Sequence, residues 1–208
     1  MIGVFGGTFD PVHYGHLNTA REIAQRIGLS QVRLVPLNVA VHRDQPQASA
    51  QQRLDMLRLA ISDEPLLAVD ERELQRSGKS YMVDTLQSLH DAMPQSHLCL
   101  LIGVDAFAFF AAWREPQRIL QLAHLVVLQR PGYQLSPDTE LADMLQQHET
   151  TDIGELQRES AGKILQQTVS QHDISATDIR ARIRQQLPLD GLTPPAVIDY
   201  IVQQHLYH

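Results

Sequence analysis

The 208-residue chain has one cysteine, two lysines and one tryptophan. A lone Cys99 excludes an internal disulfide and any multi-cysteine metal cluster. It stands in the apolar run His97-Leu98-Cys99-Leu100-Leu101-Ile102-Gly103, which points to buried packing, and an unpaired cysteine fits a reducing cytoplasm. Lys79 and Lys163 are the two lysines, so the other cations are arginines, whose planar guanidinium suits bidentate phosphate contacts. Positive charge is scarce: 17 Lys and Arg stand against 24 Asp and Glu, for a net charge of −7. With that balance, no basic stretch and 5% aromatic residues, binding of long nucleic acids by bulk electrostatics or base stacking is excluded. Long apolar runs are missing as well. The longest runs from Leu98 to Trp113 and is broken by Asp105, whereas a membrane span needs about 20 residues with few charges. The N-terminal Met1-Ile2-Gly3-Val4-Phe5 lacks the charged start and apolar stretch of a signal peptide. The expectation is a soluble, cytoplasmic protein of about one domain, large enough to bury a core without disulfides or zinc.

What the chain does have is an alternation of short apolar runs and helical periodicities. Ile2–Phe5, Val32–Leu37, Leu66–Val69, Leu98–Gly103, His124–Gln129 and Lys163–Val169 read as strands. Between them, His16–Ile27, Gln51–Ile61 and Met82–Met93 carry apolar residues at helical spacing, stopped by Gly28 and Pro94 at the ends of the first and third. Asp138–His148 and Thr193–His205 also read as helices, and the polar stretches Gln45–Gln52 and Gln146–Gly162 as loops. The pattern predicts an α/β fold with a Rossmann-like, doubly wound parallel sheet, its strands apolar on both faces. No repeat or linker divides the chain. Residues 1–208 read as a single domain, with a core over about 1–170 and a small C-terminal helical subdomain over about 171–208.

The stretch Gly6-Gly7-Thr8-Phe9-Asp10-Pro11-Val12-His13-Tyr14-Gly15-His16 lies between the first strand and the first helix. In a parallel sheet, nucleotides bind there, at the carboxyl ends of strands. Adjacent glycines let a ligand approach the backbone, and the helix start offers N–H groups to phosphate oxygens. The stretch has no Gly-Lys-Ser/Thr and its glycines miss the dinucleotide fingerprint. Two histidines three residues apart stand instead, able to donate to phosphate oxygens as imidazolium or as neutral imidazole. A turn with surface histidines, or zinc ligation by His13 and His16, are alternatives, although no further Cys or His has ligand spacing. A second anchor is Ile174-Ser175-Ala176-Thr177-Asp178-Ile179-Arg180, which has the form of a capping box with an arginine in its first turns. Hydroxyls, N–H groups and Arg180 together suit a polyphosphate.

These two elements, in this order, resemble the nucleotidyltransferase superfamily with a His-x-Gly-His motif, and within it the bacterial nicotinate-nucleotide adenylyltransferases. The resemblance covers nearly the whole chain. It implies adenylyl transfer from ATP to nicotinate mononucleotide, giving nicotinate adenine dinucleotide and pyrophosphate in NAD biosynthesis, with Mg²⁺ accompanying ATP. It implies that Gly6, Gly7, Thr8, Phe9, His13, His16, Gly103, Asp105, Ser175, Thr177 and Arg180 bind ATP, and that His16, His13 and Arg180 act in catalysis. His42, Arg43, Tyr81, Met82, Val83, Trp113, Arg114 and Arg130 would bind the acceptor. Asp105 ends a strand, where a carboxylate can accept from ribose hydroxyls, and a helix cap there is compatible with that role. Trp113 would stack on the pyridine ring, and the backbone N–H groups of Ser80-Tyr81-Met82 would hold its carboxylate. The chain departs from the family pattern at Ala176, Met82, and Ala40 and Val41, where serine, threonine and prolines are usual. Related enzymes adenylylate nicotinamide mononucleotide or phosphopantetheine or transfer cytidylyl groups. A non-catalytic nucleotide sensor on the same fold is the alternative of another class.

Overall fold

The computed structural model describes residues 1–39, 45–132 and 137–208. In chain order the elements are β1 (Ile2–Gly7), α1 (Tyr14–Ile27), β2 (Gln31–Pro36), α2 (Ala50–Ala60), β3 (Leu67–Val69), α3 (Met82–Ala92), β4 (Leu98–Gly103) and α4 (Val104–Phe107). A 3-10 turn at Phe110–Ala112 leads to α5 (Pro116–Leu122), β5 (His124–Gln129), α6 (Thr139–His148), β6 (Glu149–Thr150), α7 (Ile153–Arg158), β7 (Ile164–Thr168), α8 (Ala176–Arg184) and α9 (Pro195–Gln203). The strands form one seven-stranded sheet in the order β3-β2-β1-β4-β5-β7-β6, with every pairing parallel.

Both faces of the sheet are covered, and side chains alternate between them as the strand period requires. Leu98, Leu100 and Ile102 of β4 and Leu125 and Val127 of β5 pack in the layer that holds Val83, Leu86 and Leu89 of α3 and Ile119 of α5. Cys99, Leu101, Val126 and Leu128 point the other way, into the layer built by α1, α2, α8 and α9. Cys99 is fully buried, and burial pushes its thiol up to about 12, so it is an inert packing residue. Ile179, Ile183, Val197 and Ile201 of the C-terminal helices share one apolar cluster with Leu17 and Ile23 of α1 and Leu57 of α2. Among the described residues no helix is long and apolar enough to cross a membrane.

Two stretches expected to be loops hold regular structure in part. Gln146–Gly162 holds the end of α6, the two-residue strand β6 and the six-residue α7. Asp152 caps α7 by accepting from Gly154 N at 2.8 Å, and Leu156 is fully buried. Elements this short carry too few residues to show a period. Within 45–52, α2 begins at Ala50, because Ser49 and Gln52 form a capping box.

The order of strands positions the site. From β1 the chain moves outward to β2 and β3, then returns across the sheet to β4 and β5. The reversal falls between β1 and β4. Their pairing ends at Val4–Leu100, while the strands run on to Gly7 and Gly103. The crevice at such a switch point is where ligands bind in open parallel sheets.

Candidate active site

Beyond Gly7 the chain turns through Phe9, which has φ of 51° and a buried side chain. The Phe9 ring stands edge-on to Phe5 at 6.3 Å and to His16 at 5.0 Å. His13 occupies the N-cap position of α1 without making a side-chain capping bond, and His16 lies in the first turn. The two imidazoles stack, with centroids 3.7 Å apart and planes at 29°. A Cβ at residue 15 would lie 2.9 Å from the His13 ring, so glycine between the histidines lets the rings meet. Phe9 is thus buried with its ring packed on His16.

Both histidines are disfavoured as cations. Burial lowers His13 from its usual range to about 4. Burial, and then the neighbouring His13, lower His16 well below that range. His16 is half-buried as a residue, but its Nδ1, like that of His13, is inaccessible and has no hydrogen-bond partner among the described residues. In the unliganded protein both rings are neutral at pH 7. The unfolded chain takes up these protons near pH 6.5 and the folded one does not until near pH 4 in the case of His13. Stability therefore falls as pH drops from about 6.5 towards 4, by roughly 1 kcal/mol per pH unit for His13, with His16 contributing in the same direction. Melting temperatures across that range should fall less steeply for His13→Gln than for the unmodified protein. Parallel curves would contradict the assignment.

The second anchor approaches the same loop. Ser175 Oγ accepts from Asp178 N at 3.0 Å and caps α8, as the capping-box spacing predicts. One turn on, Arg180 Nη1 donates to the Asp10 carbonyl at 2.7 Å, and its Nη2 to Thr177 Oγ1 at 3.3 Å. Asp10 is buried, and its carboxylate accepts from Gln47 N, Ala48 N and the Tyr207 hydroxyl at 2.8, 3.1 and 2.7 Å. Arg53, 1% exposed, donates from Nη1 to the Thr8 carbonyl at 2.9 Å. Thr193 Oγ1 donates to the Val12 carbonyl at 2.8 Å. The loop 8–14 is thus fixed from α2, α8 and the C-terminal segment.

The acceptor side is built around the start of α3. Tyr81 is its N-cap, and Met82 and Val83 are its first helical residues, whose N–H groups lack intrahelical acceptors. Val83 buries its side chain, so only its backbone is available to a ligand. A Cβ at residue 6 would lie 2.8 Å from Met82 Cε, which places the end of β1 against this helix start. Arg114 lies over the Tyr81 ring, 4.7 Å from its centroid, and 3.7 Å from Asp84. Trp113 is half-buried and packs on Phe110 at 5.6 Å. Asn38 N donates to Ser80 Oγ at 3.0 Å and Asn38 Nδ2 to the Arg76 carbonyl at 2.9 Å, stitching the segment after β2 to the α3 entrance. His42 and Arg43, farther along that segment, lie outside the described residues. Asp105, in the first turn of α4, and Arg130, just past β5, are exposed at the carboxyl ends of their strands.

The family model Cytidylyltransferase-like matches residues 4–182. A protein of Serratia proteamaculans named "Probable nicotinate-nucleotide adenylyltransferase" is 46% identical, over all of this chain and 95% of its own length. One of the same name from Psychromonas ingrahamii is 41% identical over 99% and 96%. This chain belongs to the nicotinate-nucleotide adenylyltransferase family. It is an enzyme, a nucleotidyltransferase. In the Plasmodium falciparum nicotinic acid mononucleotide adenylyltransferase complexed with NaAD, the fold recurs with a TM-score of 0.72 at 16% identity, covering 99% of this chain and 96% of that one.

Within that family frame, the histidine pair, Arg180 and the α3 start are legible in the sequence. Asp10, Arg53, Thr193 and Tyr207, which hold the loop 8–14 from inside, are not. Arg53 gave no signal, because a polar residue in an amphipathic helix ordinarily faces water. Asp10 stands in the motif itself, and an acid among residues expected to bind phosphate is the available hint.

Proposed function

We propose that this crevice transfers the adenylyl group of ATP to nicotinate mononucleotide, forming nicotinate adenine dinucleotide and releasing pyrophosphate, a step of NAD biosynthesis. The observation that carries the residue roles is the convergence of the stacked His13–His16 pair and Arg180 on one loop beside the β1–β4 switch point. The acceptor's 5′-phosphate is already an anion, so no general base is required. It attacks the α-phosphorus in line as the bond to pyrophosphate breaks, with no covalent enzyme intermediate.

His16 donates to the α-phosphate oxygen whose charge changes in the transition state. With no acceptor near Nδ1, the single proton of the neutral ring belongs on Nε2. His13 and Thr8 assist, and the phosphate raises the proton affinity of both rings when it arrives. Arg180 with Ser175 and Thr177 holds the leaving pyrophosphate at the start of α8. The missing Cβ atoms of Gly6 and Gly7 make room for Met82 and the Phe9 ring, so these glycines shape the end of β1 against which the nucleotide lies, and Gly103 and Asp105 take the ribose. At the acceptor, the N–H groups opening α3 favour a carboxylate over a carboxamide. Trp113 offers its indole face to the pyridine, and Arg114, Arg130, His42 and Arg43 supply positive charge.

Among the described residues there is no group of three or more His, Cys, Asp or Glu able to hold a metal ion. The donor set is cationic or N–H, and the carboxylate of Asp10 is engaged by three donors. A Mg²⁺ would here be held by phosphate oxygens and water rather than by these residues, and would supply charge neutralisation of the triphosphate. The test is product analysis. With ATP, Mg²⁺ and nicotinate mononucleotide the protein should yield nicotinate adenine dinucleotide and pyrophosphate in equal amounts. ATP without acceptor should yield neither, and pyrophosphate from ATP alone would oppose direct transfer.

A further inference from the structure

The geometry points to Tyr207 as a positioning residue that, by occupying the Asp10 carboxylate, keeps Arg180 available to the polyphosphate of the nucleotide. The inference rests on the reading of Arg180 as the phosphate clamp.

Tyr207 is 7% exposed, and its hydroxyl donates to Asp10 Oδ1 at 2.7 Å. Its backbone has φ of +68°, and that of His205 is +50°. Two left-handed residues that are not glycine carry a backbone cost, and such residues persist only where surrounding contacts hold them. The holding contacts are the burial of Leu206 and Tyr207 in the α1–α9 core and the bond to Asp10. The C-terminal segment is thus bent to deliver one hydroxyl to the loop between β1 and α1.

What that hydroxyl does follows from the competition around Asp10. A free carboxylate beside a guanidinium closes to a pair at about 2.7–2.9 Å. Arg180 Nη1 stays 4.0 Å from Asp10 Oδ2 and bonds to the backbone carbonyl instead. The carboxylate oxygens are turned to Gln47 N, Ala48 N and the Tyr207 hydroxyl. Arg180 Nε is buried with no hydrogen-bond partner among the described residues. The guanidinium is therefore anchored through one edge, with its charge not closed onto a carboxylate. Without the Tyr207 hydroxyl, Asp10 Oδ1 loses its shortest bond and the carboxylate can rotate onto Arg180. The closed pair would neutralise the clamp and draw it from the nucleotide.

Tyr207→Phe removes the hydroxyl and keeps the ring. Its KM for ATP should rise about three- to tenfold, the size of one lost hydrogen bond near a charge. Inhibition by added pyrophosphate should weaken in parallel, while the KM for nicotinate mononucleotide stays within about twofold. A structural role alone would lower the melting temperature without separating the two substrates. In an Arg180→Ala background, Tyr207→Phe should add no further rise, since both act through one group. If Arg180→Ala raises the ATP KM and Tyr207→Phe does not, the clamp stands and this inference falls. If Arg180→Ala leaves the ATP KM unchanged, the clamp and this inference fall together. Asp10→Asn, which keeps an acceptor oxygen at the junction but removes the charge that would compete for Arg180, serves if Tyr207→Phe does not fold. With no carboxylate to close on Arg180, its KM for ATP should be no higher than that of the unmodified protein, and a selective rise would overturn the inference.

Discussion

His16→Ala should lower kcat by about 10²-fold or more while leaving the KM for ATP nearly unchanged, the pattern expected when a donor acts chiefly on developing charge. His16 is held in place by its neighbours. Its ring lies between His13, stacked at 3.7 Å, and the edge of Phe9 at 5.0 Å, so its orientation is set before substrate binds. Preorganisation of this kind avoids reorienting dipoles during the reaction. Burial also keeps the ring neutral in the unliganded protein. Its donor bond therefore strengthens as charge builds on the α-phosphate, where a surface imidazolium would be screened by water. The variant should fold, since His16 is half-buried and α1 keeps its apolar face through Leu17, Ala20, Ile23, Ala24 and Ile27. A folded His16→Ala protein with near-normal kcat would remove His16 from the mechanism.

Arg180→Ala should reduce kcat/KM for ATP by about 10- to 100-fold, as for loss of a charged hydrogen-bond donor. The effect should enter mainly through KM and through weaker inhibition by pyrophosphate. Arg180→Lys should recover only part, because an ammonium keeps the charge but cannot bond Asp10 O and Thr177 Oγ1 while facing phosphate. The start of α8 is capped independently by Ser175, and Ile179 and Ile183 anchor the helix in the core, so the helix itself should persist. Circular dichroism and the melting temperature check that point. An unchanged kcat/KM for ATP in the folded variant would contradict the clamp.

The parts of this fold that could be read from sequence are those with a local period or a local cap. β4 and β5 match their expected bounds because strands covered on both faces become continuous apolar runs. The start of α8 was visible because Ser175 and Asp178 stand at capping distance along the chain. The His13–His16 pair was visible for the same reason, since three residues at a helix start place both rings on one side. The supports of the site were hidden because they join distant positions. Arg53 reaches Thr8 across 45 residues, Arg180 reaches Asp10 across 170, and Tyr207 reaches Asp10 across 197. No periodicity encodes contacts of that kind. The segments β6 and α7 were hidden for the opposite reason, being too short to repeat anything.

The negative net charge also has a local resolution. The chain carries −7 overall, yet its acids near the phosphate side are turned inward or paired. Asp10 is buried under three donors, and Asp178 is tied to Arg182 at 3.0 Å. Asp105 stays exposed at the end of β4, while the groups gathered around the loop 8–14 are imidazoles, N–H groups and a guanidinium. A small dianionic mononucleotide and a triphosphate can be bound there by short-range contacts that bulk charge does not describe.

The most direct test is the rate of pyrophosphate release with ATP and Mg²⁺ when nicotinate mononucleotide and nicotinamide mononucleotide are supplied in turn. Adenylyl transfer in this crevice predicts release with both ATP and acceptor present, with a higher kcat/KM for the nicotinate form, because the opening turn of α3 offers donors to a carboxylate. No release with either acceptor would contradict it.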